Sequence, residues 1–377
     1  MRIGIIADAL DAKMTGISSY THCLISALPE IDFKNEYFII HHKLGGLPFK
    51  AANFHELVIP TSWFDPNRTI SRLYSFRSCL DHYKLDILHD LTGSAIWFNR
   101  KQINIQSIHD ASCFTVPESH TFINRLINNH FLKRTISSID HVITDSYASK
   151  KDIGKYLNIP ETKISVIYLA ADSGFSKLTS PDDLDEAKMV LERHDIHQPF
   201  IFSLGALVAR KNLITLIKSF LYLKEHQHIP HKLVLTGMRP KRSKKLSGFY
   251  DNHPDIIFTG YVPNRELVSL YNSASCFVFP SLYEGFGLPV LEAMQCGCPV
   301  ITSNVSSLPE VVGDAGLLLK DPLSVIELNG LIMRVISDQA LSSNLSIQGL
   351  IQAKKFSWRK CAQGTLAVYQ SVINSQK

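Results

Sequence analysis

Apolar residues in this chain come in short runs that alternate with stretches of helical period. The runs at 3–7, 37–41, 57–59, 86–89, 105–109, 141–145 and 164–168 read as strands. Between them, 17–28, 69–82, 122–137 and 148–157 carry apolar residues at helical spacing. Such alternation predicts a parallel sheet with helices on both faces. From 170 to 198 the pattern lapses into turn signals, with a short helix at 183–193. A second series follows, with strands at 200–204, 233–236, 256–259, 276–279 and 299–302 and helices at 213–225, 265–272 and 289–295. The tail from 323 to 375 is mostly helical. The expected fold class is α/β: two doubly wound, Rossmann-like domains in tandem, 1–170 and 199–377, joined by a linker at 171–198. Ligands on such sheets bind outside the carboxyl ends of the strands, so the cleft between the domains is the expected site.

Composition narrows the class. A chain of 377 residues exceeds one ordinary core, and 45% apolar with 19% charged residues describes packed globular domains. The net charge of +5 suits an anionic substrate or membrane surface without requiring either. It offers no aromatic–basic interleaving of a nucleic-acid module, so no nucleic-acid partner is expected. The odd number of cysteines, 7, several of them in apolar runs, favours a reducing compartment over a disulfide framework. Cys296-Gly-Cys298 lacks a second pair at zinc spacing, and no metal is expected. The first apolar run is too short for a signal segment, and no run is long enough to span a membrane.

The chemistry concentrates in Ser281-Leu-Tyr-Glu-Gly-Phe-Gly-Leu-Pro-Val-Leu-Glu-Ala-Met294. An apolar strand runs into a glycine-punctuated loop carrying Glu284, Gly285, Phe286 and Gly287, and a helix follows with Glu292. Carboxylates accept strong hydrogen bonds from sugar hydroxyls, and a helix start offers backbone N–H groups to an anion. Either acid alone would be an ordinary helix-start or solvated residue; the whole string is not. After strand 200–204, Gly205 allows a tight turn, and Arg210-Lys211 stand just before a helix with Asn212 at its N-cap. Two cations at a helix N-terminus are unfavourable unless an anion sits between them, and a diphosphate is the natural candidate. In the first domain, Gly16 precedes a helix and could present N–H groups to a phosphate, although a turn glycine reads equally well. His109-Asp110 closes strand 105–109, placing an imidazole where it could donate a hydrogen bond or move a proton. The basic run Arg239-Pro-Lys-Arg-Ser-Lys-Lys245 reads more simply as a solvated loop. The amphipathic stretch 122–134 could touch an anionic membrane surface, but reads first as a core-facing helix.

Taken together, these residues resemble the E-x7-E signature of retaining GT-B glycosyltransferases of family 4 (group 1), and in particular bacterial O-antigen and capsule mannosyltransferases. The resemblance extends from Thr15-Gly16-Ile17 through His109-Asp110 and Gly205…Arg210-Lys211-Asn212 to Pro299…Glu310. It implies that Glu284 and the backbone of Gly285, Phe286 and Gly287 hold the donor sugar. Arg210 and Lys211 would hold the nucleotide diphosphate, Glu292 the ribose, and Gly16 the phosphates from the first domain. His109 would face the reacting sugar, with Asp110 on the acceptor side. The last helix, at about 357–374, would pack back on the first domain. No cofactor or metal is implied, because the two cations stabilise the leaving diphosphate. The donor expected first is GDP-mannose, with UDP- and dTDP-sugars as alternatives. The acceptor would be a polyprenyl-diphosphate-linked oligosaccharide, met by a cytoplasmic enzyme at the inner face of the cytoplasmic membrane. A nucleotide-sugar epimerase shares the fold; a phosphorylase would need a cofactor lysine that the sequence does not offer. The first loop has one glycine where many relatives have two, and Tyr168-Leu-Ala-Ala-Asp172 stands where Asn-Gly is frequent.

Overall fold

The computed structural model describes residues 1–11, 16–43, 45–59, 81–92, 101–119, 136–197, 199–205, 208–237 and 253–375. The chain divides into two compact units: Met1–Phe114, His120–Ala170 and Ser357–Lys377 form the first, Thr115–Ser119 and Ala171–Phe356 the second.

The first unit is built on β1 (Arg2–Ile6), β2 (Glu36–His41), β3 (Phe54–Val58), β4 (Ile87–Asp90), β5 (Ile103–Ser107), β6 (His141–Thr144) and β7 (Ile164–Val166). They pair in parallel in the order β3-β2-β1-β4-β5-β6-β7. Ile3, Ile5, Ile87 and Ile105 are fully buried, which is why these strands read as continuous apolar runs rather than as alternating ones. The helices Gly16–Ala27 and Trp358–Asn374 belong to this unit and pack on one another. The latter buries Cys361, Ala362, Thr365, Val368, Tyr369 and Val372, a stripe at helical spacing. Its N-cap, Ser357, accepts the Lys360 N–H at 3.2 Å.

The second unit holds β8 (Phe200–Leu204), β9 (Lys232–Thr236), β10 (Ile256–Gly260), β11 (Cys276–Phe279), β12 (Val300–Ser303) and β13 (Leu317–Leu319). The order is β10-β9-β8-β11-β12-β13, again parallel. In both sheets the strand order reverses beside the first strand, between β1 and β4 and between β8 and β11. The crevice at such a switch point is where a doubly wound sheet binds ligands. Residues 171–197 are part of this unit rather than a free connection. Their helix Pro181–Arg193 buries Ala187, Val190 and Leu191 against the helix Asn264–Ser273. Glu266 locks the contact, accepting from Arg193 and from His194 at 2.8 Å each.

Boundaries moved where the apolar run outlasts the sheet pairing. The strand expected at 105–109 is Ile103–Ser107, so His109 lies beyond its end. The strand expected at 57–59 is Phe54–Val58, and β13 was not anticipated. Most of the helix expected at 69–82, the amphipathic stretch 122–134 and the basic run 239–245 lie outside the described residues. Among the described residues, no helix is long and apolar enough to cross a membrane.

Candidate active site

The switch point of the second sheet assembles the motif residues. The chain leaves β8 at Gly205, whose φ of 154° is one that side chains disfavour. A Cβ there would stand 3.2 Å from the Lys211 stem, so the glycine makes room for the lysine to fold back over the turn. Residues Ala209–Lys211 form a single 3-10 turn, and Asn212 follows with a left-handed φ of 52°. Asn212 is the N-cap residue of the helix Leu213–Gln227, as the sequence suggested, but its side chain makes no capping hydrogen bond to the helix backbone. Its backbone conformation turns the amide towards the neighbouring strand end, where Nδ2 donates to the carbonyls of Pro280 (3.1 Å) and Pro322 (2.6 Å). Asn212 thereby ties the β8 turn to the loop after β11.

The two cations converge on Glu284. Arg210 Nη1 donates to Glu284 Oε1 at 2.8 Å and to the Tyr283 carbonyl at 3.2 Å. Lys211 Nζ reaches the same Oε1 at 2.7 Å and lies 4.4 Å from the centre of the Phe279 ring. Ser281 Oγ is 2.6 Å from that oxygen as well. The anion expected between the cations is thus supplied by the protein itself. Burial alone would raise the Glu284 carboxyl, but Lys211 and Arg210 outweigh it and hold it below the usual carboxylate range. All three hydrogen bonds fall on Oε1, and no described residue donates to Oε2. The backbone of this loop is held from β12's far end: Glu284 N–H donates to Ser306 Oγ at 2.9 Å, and Ser307 Oγ lies 2.9 Å from the Glu284 carbonyl and 2.8 Å from that of Phe286.

Gly287 begins the helix Leu288–Gln295 with φ 107°, and a Cβ there would meet Leu308 at 2.8 Å. On this helix, Glu292 accepts the Tyr271 hydroxyl at 3.1 Å. Burial raises its carboxyl; Tyr271 opposes this and Asp172 adds to it, leaving Glu292 at about 7. Tyr271 is fully buried among Phe202, Phe277 and Phe175. Cys296 and Cys298 are buried, and burial pushes the Cys296 thiol up to about 12. No cluster of His, Cys, Asp and Glu among the described residues could hold a metal ion.

Gly16, His109 and Asp110 belong to the first unit. Gly16 opens the helix Gly16–Ala27, and a Cβ there would meet nothing within 4 Å. His109 Nδ1 faces Asp145 Oδ2 at 2.8 Å and Nε2 faces the Leu91 carbonyl at 3.0 Å. Acceptors facing both ring nitrogens favour an imidazolium, while burial pushes the Asp145 carboxyl up. Burial opposes the imidazolium charge, but Asp145, the Leu91 carbonyl and Asp110 outweigh it and lift His109 to about 9. Of the two roles read from the sequence, donating a hydrogen bond fits these contacts, and the His109 and Tyr20 rings meet edge-to-face with centroids 4.7 Å apart. Asp110 accepts the Ser112 N–H at 2.9 Å, just before the short helix Ser112–Thr115. Sequence reasoning did not single out Asp145, Phe279 or Tyr271, and gave Ser306 and Ser307 no role although they lie in the Pro299…Glu310 string. Asp145, an acid closing an apolar run, carried a local signal.

Comparison with known proteins matches both halves of the chain. The family model described as Glycosyltransferase Family 4 matches residues 14–174, and that described as Glycosyl transferases group 1 matches residues 187–350. The O-antigen chain mannosyltransferase B of Escherichia coli is 34% identical over 276 residues, covering 72% of this chain and 71% of that protein. The serotype-specific mannosyltransferase WbdA of the same organism is 28% identical over 243 residues, which is 63% of this chain but only 29% of that longer protein. Among solved structures, sucrose-phosphate synthase from Thermosynechococcus elongatus superposes with a TM-score of 0.76 at 19% identity, covering 100% of both chains. Both sheets, the motif at the second switch point and these matches agree: the chain belongs to the group 1, family 4 glycosyltransferases and is an enzyme of the GT-B fold.

Proposed function

We propose that this glycosyltransferase moves a mannosyl residue from GDP-mannose to a polyprenyl-diphosphate-linked oligosaccharide during assembly of O-antigen or a related surface polysaccharide. The observation that carries the reading is the Arg210–Glu284–Lys211 cluster at the ends of β8 and β11. Its two cations suit a diphosphate, and the Oε2 edge of Glu284 suits a sugar hydroxyl. The mannosyl assignment rests on the relatives' names. In this reading Arg210 and Lys211 neutralise the charge that develops on the leaving nucleoside diphosphate, a role that elsewhere falls to a metal ion. The N–H groups of Gly285, Phe286 and Gly287 and the start of the helix Leu288–Gln295 support the sugar and phosphate. Glu292 accepts the ribose hydroxyls, and Gly16 offers its helix N-terminus to the phosphates. His109 contributes a fixed positive charge beside Asp110 on the acceptor side. Transfer proceeds with retention by a front-face route, a donor phosphate oxygen taking the acceptor's proton, and needs no metal. The enzyme works at the cytoplasmic face of the membrane as a peripheral protein, where its acceptor's lipid is anchored.

A thermal-shift panel of GDP-mannose, UDP-glucose and dTDP-rhamnose tests the donor, since a ligand at a hundredfold its Kd stabilises by about 2.7 kcal/mol. GDP-mannose should give the largest shift; a larger one with UDP-glucose or dTDP-rhamnose moves the assignment to that base. Arg210→Ala should weaken both nucleoside diphosphate binding and transfer. Glu284→Ala should abolish transfer yet bind the nucleoside diphosphate at least as tightly as the wild type, because the competing internal anion is gone. Transfer that survives both substitutions would remove the site assignment.

A further inference from the structure

The loop carrying Glu284 is held by Ser306 and Ser307, which lie in the Pro299…Glu310 string but to which the family resemblance assigns no role. Beyond β12, Ser306 adopts φ 49°, in the left-handed region that residues other than glycine, asparagine and aspartate rarely enter. Its Oγ accepts the Glu284 N–H at 2.9 Å. The next residue, Ser307, is fully buried, and its single hydroxyl proton is shared between the carbonyls of Glu284 (2.9 Å) and Phe286 (2.8 Å). Both peptide groups flanking the Glu284 Cα are therefore fixed from one place. The side chain is fixed separately, through Oε1, by Arg210, Lys211 and Ser281. Backbone and side-chain anchors together determine which carboxylate oxygen is left for a ligand.

We propose that Ser306 and Ser307 are positioning residues for the transfer reaction, setting the height and orientation of Glu284 so that Oε2 meets the donor sugar. This rests on reading Glu284 as the sugar-facing carboxylate. The left-handed backbone at Ser306 is the decisive observation. Glycine would take that conformation without strain but would leave the Glu284 N–H without its acceptor. Keeping a serine there favours the hydrogen bond over backbone ease, which is the pattern of strain held at a working site. Ser307 acts on the opposite side of the same residue: without its hydroxyl, two carbonyls in a buried turn lose their donor.

The test is steady-state kinetics with GDP-mannose, and with UDP-glucose as second donor, reading released nucleoside diphosphate alongside Tm. Ser306→Gly should keep or raise Tm, because the backbone strain is relieved, and still lose about tenfold in kcat/KM, the scale of a misplaced catalytic contact. Ser306→Asn, which tolerates the left-handed backbone and restores a side-chain oxygen, should recover part of that loss. Ser307→Ala should lose at least as much, with a lower Tm. Glu284→Gln serves as the reference. If it loses activity while Ser306→Gly and Ser307→Ala turn over like the wild type, the positioning role is overturned and the Glu284 reading stands. If Glu284→Gln itself keeps full activity, the reading of Glu284 falls, and the positioning role with it. An equal loss in Ser306→Gly and Ser306→Asn would also overturn the proposal, since the oxygen would then not be what matters.

Discussion

Glu284 and Glu292 stand in one motif, and burial pushes both carboxyls up; their partners separate them. Glu284 has Lys211 and Arg210 within 2.8 Å and stays ionised. Glu292 has one neutral hydroxyl, Tyr271, and the unfavourable charge of Asp172, and it titrates at about 7. A ribose reader needs the carboxylate, so donor KM should fall as pH rises from about 6 to 8, by up to roughly tenfold as the ionised fraction changes. In Glu292→Gln this dependence should flatten. Stability runs the other way. A carboxyl raised above its ordinary value stabilises the fold at pH below that value, and the contribution is lost as pH rises through about 7. Glu292→Gln should therefore gain Tm relative to the wild type at pH 8 and not at pH 5. A pH-independent donor KM in the wild type would remove Glu292 from the ribose. At this scale the sequence was legible in part. That Arg210-Lys211 needs an anion follows from adjacent charges at a helix start. That the anion is Glu284 does not, because the contact spans 74 residues. Ser306 and Ser307 act on backbone atoms of a distant loop and Phe279 through a ring face, which residue type alone does not announce.

Elements of the parallel sheets were legible because strands buried on both faces read as unbroken apolar runs. Runs do not mark where pairing stops: Ile108 remains buried past the end of β5, so the apolar run overshoots the strand and carries His109 beyond it. The three leucines of β13 are too short to distinguish from a packed loop. A second property of elements that periodicity cannot show is which buried polar groups lock them together. The helix Trp358–Asn374 meets β4 through Tyr369, whose hydroxyl lies 2.7 Å from His89 Nδ1. His89 Nε2 lies 2.9 Å from Ser107 Oγ, which is 3.0 Å from the Tyr20 hydroxyl. Burial, and then the charge on His109, lower His89 to about 3, so it is neutral and needs one donor and one acceptor. Tyr369 is the partner of Nδ1 and Ser107 that of Nε2. Tyr369→Phe keeps the ring packing and leaves a buried ring nitrogen without its partner, at a cost of about 1–3 kcal/mol. Thermal or urea unfolding should show that loss, and Tyr369→Phe with an unchanged midpoint would mean that the helix is held by its apolar stripe alone.

At the scale of the molecule, the chain forms the first unit up to Ala170, apart from Thr115–Ser119, then forms the second and returns to the first at Ser357. Two tandem βα series are visible in the sequence because each repeats the same alternation. The final return is not a matter of periodicity: a core-facing stripe looks the same whichever sheet it covers, and only the family resemblance assigned it. This connectivity separates the consequences of a C-terminal truncation. Removing 357–377 deletes no residue of the second unit. It strips the first unit of the stripe from Cys361 to Val372 and of the hydroxyl that meets His89 Nδ1. Apolar surface exposed in this way costs about 25 cal/mol per Å², so the loss of several fully buried side chains is large against the few kcal/mol by which domains are stable. In a 1–356 chain, hydrogen exchange should therefore quicken in β4 and β5 and in the helix Gly16–Ala27, while β8, β11 and β12 keep their protection. Arg210, Lys211 and Glu284 would remain assembled, and the truncated chain should still bind a nucleoside diphosphate while losing transfer. Loss of protection in β8 and β11 to the same extent would show that the second sheet depends on the last helix after all, and that the division into two units does not describe how the protein holds together.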